Sequence, residues 1–131
     1  MNNPIEKKEY SCEVSVTNEN TAKTMKSGSL DVFATPAVVA LMEQASALLA
    51  DEYIEDIYTT VGTKISVEHI SPTPVGDTVT ATATLVKHEG RVFEFELVAK
   101  DKSGVIATGV HTRVSVNSKK FQEKADGKIA K

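Results

Sequence analysis

Ala37-Val38-Val39-Ala40-Leu41-Met42-Glu43-Gln44-Ala45-Ser46-Ala47-Leu48-Leu49-Ala50 is the most apolar and most helix-prone stretch of the chain. Apolar side chains cover nearly every side of it, and its polar groups are Glu43, Gln44 and Ser46. A helix that is hydrophobic all round is normally buried, so the remaining chain has to wrap it. Glu43 then becomes the costly residue, because a buried carboxylate must find partners or take up a proton. Thr35-Pro36 opens the helix. Threonine accepts backbone N–H bonds as an N-cap, and proline suits the first helical position, where its missing N–H would be unsatisfied anyway. The pattern predicts a helix to about residue 52, with an irregular extension through Ile57.

Extended segments flank this helix. Residues 10–17 alternate Cys12, Val14 and Val16 with polar neighbours, the pattern of a half-buried strand. Residues 18–29 are polar, carry Gly28 and read as a loop. Four more strands are expected over residues 59–70, 77–87, 91–100 and 105–117. In the third of these, Phe93, Phe95, Leu97 and Ala99 alternate with Val92, Glu94, Glu96 and Val98. Short turns at residues 88–90 and 101–104 favour antiparallel neighbours. Pro72 and Pro74 forbid regular pairing over residues 71–76. The charged tail from Ser118 is expected to fray. The expectation is one α+β domain over residues 1–131, an antiparallel sheet wrapped around one long central helix. An open sheet leaves edges, so a homodimer or higher homo-oligomer is expected as well.

Composition narrows the function classes. A chain of 131 residues fits a single domain. A net charge of −3, mixed charges and the absence of Trp argue against nucleic-acid binding. The single Cys12 excludes an intrachain disulfide framework and fits a reducing compartment. One Cys and three widely spaced His build no metal cluster without carboxylates. Residues 1–10 lack the hydrophobic core of a signal peptide, and the apolar helix is too short and interrupted to span a membrane. A soluble cytoplasmic protein with no metal, cofactor, membrane or nucleic-acid partner is expected.

Two residues stand out for chemistry beside Glu43. Ile65, Val67 and His69 share one face, which puts an imidazole at the end of the helix-facing side of its strand, where it can approach Glu43. A Glu–His pair is an acid/base unit, because each biases the other's protonation near neutral pH. A satisfied or half-exposed strand histidine explains the same pattern. Thr35 reads first as a helix cap. The helix N-terminus also offers free N–H groups and a positive dipole end, suited to a carbonyl oxygen that turns negative in acyl transfer. Glu43 itself can be a hydrogen-bonded carboxylate without chemistry. His88 reads as a solvated turn histidine, and His111, alternating with Arg113, as structural or exposed. Cys12 reads as a small apolar residue, and Lys119, Lys120 and Lys124 as a solvated tail.

Residues 32–43 (VFATPAVVALME) resemble the helix-opening motif of the fluoroacetyl-CoA thioesterase-like hotdog proteins. Residues 61–69 (VGTKISVEH) are similar to that family's Gly-containing strand ending in His, and residues 72–76 and 109–113 continue the match. The resemblance runs from about Tyr10 to about Phe121. It implies a hotdog domain that hydrolyses acyl-CoA thioesters, with coenzyme A entering only as part of the substrate. It further implies Thr35, Glu43 and His69 as the catalytic set, Gly62 beside the thioester, and Arg113 as a contact for substrate or coenzyme A. Glu43 would activate water or attack the carbonyl, and the sequence leaves that choice open. Residues 25–30 (MKSGSL) carry no aromatic, whereas the fluoroacetate-selective member has phenylalanines in its lid there. A different acyl group or an open entrance is therefore expected. The leading reading is a thioesterase for a small or medium acyl-CoA. A hotdog hydratase or dehydratase, and a non-catalytic acyl-CoA binding or sensing module, stand as alternatives.

Overall fold

Phe93, Phe95, Leu97 and Ala99 are all buried, and they form the floor on which the long helix lies. Their strand is the middle of a five-stranded antiparallel sheet in the computed structural model, which describes residues 8–129. In chain order the elements are β1 (Glu9–Ser15), α1 (Thr35–Asp51), β2 (Tyr58–His69), β3 (Thr78–Glu89), β4 (Val92–Asp101), β5 (Gly104–Asn117) and α2 (Ser118–Asp126). The sheet runs β1-β3-β4-β5-β2, with every neighbouring pair antiparallel. Helix α1 packs on its inner face through Val38, Leu41, Met42, Ala45 and Leu49. Residues 1–7, part of the 1–10 stretch on which the signal-peptide expectation rests, lie outside the described residues.

Two features set the geometry that matters for function. The first is the anchored approach to α1. The 33–34 backbone is tied down by Phe33 N–H donating to the Thr73 carbonyl (2.9 Å) and Ala34 N–H donating to the Asn20 carbonyl (3.0 Å). Thr73 is itself fixed by its hydroxyl donating to Asp101 (2.8 Å), so the start of the helix cannot drift from the sheet. The second is a bulge in β2. Gly62 pairs with Arg113 and Lys64 with Thr112, so Thr63 has no opposite number. A bulge inserts one residue and so shifts the side-chain alternation. Thr60 and Gly62 face inward before it, and Ile65, Val67 and His69 face inward after it.

The structure corrects four expectations. Thr35 is the first helical residue, not the cap. Ala34 holds the cap position, where its methyl group can accept no hydrogen bond, and the Thr35 hydroxyl is engaged by His69 instead. The tail from Ser118 does not fray at once but forms α2, since the Asn117 side chain accepts from Lys120 N–H (3.0 Å) and nucleates a turn. Helix α1 is not enclosed on every side: Ala40, Gln44 and Leu48 are exposed, and the Glu43 side chain is 42% exposed. The cost foreseen for a fully buried Glu43 therefore falls away within one chain. His88 lies at the end of β3 rather than in a turn, and its ring stacks on Phe93 at 4.0 Å.

Candidate functional site

Thr35 opens α1 beside the last residue of β2. Its Oγ1 lies 2.7 Å from His69 Nδ1. Burial lowers the His69 pKa, and the Ser71 backbone offsets this in part, so the ring favours its neutral form near pH 7. His69 Nε2 is the one buried side-chain nitrogen or oxygen without a hydrogen-bond partner among the described residues. Such a group marks a place where a ligand or water completes the bonding. It borders a cleft of about 290 Å³ lined by Ala22, Phe33, Thr35, His69, Ser71 and neighbours. The first turn of α1 carries no acidic residue, so its free N–H groups and dipole end are uncompensated by charge.

Glu43 belongs to a second cluster farther along the groove. Its Oε2 stands 3.7 Å from Arg113 Nη1, an ion pair at the border of buried and exposed space. Arg113 is held tightly. Its Nε donates to Thr60 Oγ1 (2.8 Å), Nη2 donates to the Thr60 carbonyl (2.8 Å), and Nη1 donates to His111 Nε2 (3.2 Å). Burial pulls the Arg113 pKa down, and Glu43 and Asp51 push it back up. Gly62 lies directly beneath this cluster. A Cβ there would stand 2.9 Å from Glu43 Oε2 and 3.0 Å from His111 Cε1, so any side chain would displace the carboxylate.

Thus Thr35 meets His69, and Glu43 meets Gly62 and Arg113. The expected approach of His69 to Glu43 does not occur within the chain. Gly62 and His69 are seven residues apart on β2, which is roughly 20 Å of strand. Arg113, foreseen as a contact for substrate or coenzyme A, is 7% exposed and spends its donors on Thr60 and His111. Sequence reading gave Thr60 no role and left His111 as structural or exposed; the structure buries it beside Arg113. Valines at positions 110, 114 and 116 suggest that β5 turns its apolar side inward, yet His111, Arg113 and Ser115 are the buried ones. The usable signal was the His-x-Arg-x-Ser alternation itself, three polar groups in phase. Among the described residues no group of three or more His, Cys, Asp or Glu is placed to hold a metal ion, and no helix is long and apolar enough to cross a membrane.

A five-stranded antiparallel sheet packed on one long helix, with the Thr35 hydroxyl at the helix start against His69 of β2, is the hotdog architecture, and its family places it in the thioester hydrolase class. Residues 16–119 match the family described as fluoroacetyl-CoA-specific thioesterase, and the chain belongs to that family. It is 39% identical to a fluoroacetyl-CoA thioesterase of Streptantibioticus cattleyicolor over 94 residues, 72% of this chain and 68% of that one. The solved fluoroacetyl-CoA thioesterase FlK superposes with a TM-score of 0.89 at 30% identity, covering 98% of this chain and 100% of the other. A threonine-to-serine variant of FlK in complex with acetyl-CoA aligns with a TM-score of 0.87 at 31% identity, covering 93% and 96%. The hotdog architecture extends to a thioesterase superfamily member from Thermus thermophilus (TM-score 0.84, 24% identity, 96% of this chain and 93% of that one).

Proposed function

We propose that the protein hydrolyses a small or medium acyl-CoA to the free acid and coenzyme A, in sites completed across a homodimer. Each site would join Thr35 and His69 of one chain to Glu43 of the other. The observation that carries this reading is the edge position of β2, the strand that carries His69 beside Thr35 and Gly62 beneath Glu43. A two-fold axis through Ser66 sets Ile65 opposite the partner's Val67. With Thr63 looped out in both chains, it sets Gly62 opposite the partner's His69. Every inward residue then meets an inward residue, as antiparallel pairing requires. Family membership supports the thioesterase over the hydratase and the binding-only readings.

The chemistry follows from the groups assembled. The thioester carbonyl oxygen sits at the first turn of α1, where N–H groups stabilise the negative charge that develops on it. Neutral His69 steadies the reacting group through Thr35 or the buried Nε2. Glu43, held by Arg113, either takes a proton from the attacking water or attacks the carbonyl itself, so that the C–S bond breaks, coenzyme A departs as its thiolate, and a mixed anhydride is left on Glu43 for water to open. Oxygen-18 from labelled water appears in Glu43 after one turnover only by the second route. The acyl group is not expected to be fluoroacetyl, since residues 25–30 carry no aromatic. A cytoplasmic location suits such a substrate and the lone Cys12.

Mixing two dead variants tests the composite site. Glu43→Gln and His69→Ala should each lower thiol release at least about 100-fold. A mixture allowed to exchange subunits should regain about a quarter of wild-type activity, because half the dimers are mixed and each of those carries one intact site. No recovery in a mixture shown to contain mixed dimers would place the site within one chain. No thiol release by the wild type from any acyl-CoA would end the thioesterase reading.

A further inference from the structure

His111 is 2% exposed, yet it sits among polar neighbours on the inner face of β5. Both ring nitrogens are committed. The Lys64 carbonyl oxygen lies 2.8 Å from Nδ1 and can only accept, so Nδ1 carries the proton. Arg113 Nη1 lies 3.2 Å from Nε2 and can only donate, so Nε2 keeps its lone pair. The two partners together select one neutral tautomer. Burial and the Arg113 charge both hold His111 below the usual histidine pKa, against opposing pulls from the Lys64 backbone and Glu43.

The consequence passes to Arg113. A guanidinium is planar and its five N–H bonds point in fixed directions. Thr60 fixes Nε and Nη2, and His111 fixes one hydrogen of Nη1. The fixed guanidinium then keeps its charge at ion-pair distance, 3.7 Å, from Glu43 Oε2. Glu43 is half exposed, and without a steady cation beside it the carboxylate would be free to turn toward solvent. Lys64 follows the β2 bulge directly, so the chain of contacts runs from the Lys64 carbonyl through His111 and Arg113 to Glu43.

We propose that His111 is a positioning residue: as a neutral ring anchored on the Lys64 carbonyl, it sets the Arg113 guanidinium and thereby holds Glu43 over Gly62. This rests on the reading of Glu43 as the catalytic carboxylate. A merely structural His111 would act by filling space against Phe95, whose ring centroid is 6.1 Å away.

His111→Phe keeps the ring and loses both nitrogens, whereas His111→Asn retains a donor and an acceptor. The His111→Phe enzyme should lose about tenfold or more in kcat with KM within about twofold, and His111→Asn should recover most of that loss. Combined with Glu43→Gln, His111→Phe should change the residual kcat by less than about twofold, because no carboxylate remains to be positioned. Wild-type kcat in His111→Phe, or an equal loss with and without Glu43→Gln, would overturn the proposal. Nitrogen NMR of the wild-type ring gives a readout independent of any variant's folding. It should report the neutral Nδ1–H form at neutral pH, with protonation only below the usual histidine midpoint of about 6.5. A ring that protonates at or above that midpoint, or carries its proton on Nε2, would overturn the proposal too. Thiol release by the wild-type enzyme is the control: its absence defeats the thioesterase reading, and the ring measurement still stands by itself.

Discussion

Histidines 69 and 111 share a cause and differ in use. Burial holds both below the usual histidine pKa, and each has a ring nitrogen facing a fixed partner. In the unfolded chain both would protonate near pH 6.5. As pH falls through that value the unfolded state binds more protons than the folded one, so stability decreases, and it stops falling once the depressed folded values are passed. Urea midpoints measured from about pH 7.5 to 5.5 should therefore drop with pH, and His111→Asn should flatten that slope relative to wild type. At this scale the sequence was informative where a motif carried the residue. Thr35, Glu43 and His69 were singled out by pattern and resemblance together, Gly62 and Arg113 by resemblance alone. His111 was hidden by three valines in antiphase, because the sheet turns those apolar residues outward. Val110 is 54% exposed.

Elements were legible to within a residue or two wherever periodicity had a single solution. The clean alternation of β4 and the Thr-rich alternation of β3 each bury one face. Helix α1 was placed by its apolar run, but its cap was misread. A threonine followed by proline looks like an N-cap locally, and only the approach of β2 shows why the hydroxyl is wanted elsewhere. Helix α2 failed to register because its composition is that of a solvated tail, and it buries no residue. What holds it is the Asn117 side chain at its start. Asn117→Ala should fray α2, costing about 1 kcal/mol of local helix stability. Global unfolding should move by less than about 0.5 kcal/mol, as for a surface substitution away from the core. Amide exchange across Lys119–Glu123 and a thermal melt on one sample measure the two effects.

For the molecule as a whole, the short turns and the one strongly apolar helix already pointed to an antiparallel sheet packed against α1, although one side of that helix stays exposed. They did not show that His69 closes β2 while Glu43 stands over Gly62, seven residues earlier on the same strand, because no local pattern encodes a distance between two elements. The proposed two-fold at Ser66 brings that residue against its own copy on the outer face. Like charges directly opposite one another across a strand pair are destabilising. Ser66→Glu should therefore weaken the dimer, seen as a shift toward monomer in sedimentation, with thiol release that recovers as protein concentration rises. Concentration-independent activity in a monomeric Ser66→Glu protein would contradict the shared site. Thr63 bears on how such a protein can change through time. It is a phase shift in the strand, and everything beyond it reads in the opposite frame. Substitutions at that position alter a surface hydroxyl, but loss of the residue would turn Ile65, Val67 and His69 out to solvent while hardly changing composition. Replacing residue 63 gives up its hydroxyl's bond to the Thr112 carbonyl, whereas losing it would reverse the frame that keeps His69 inward.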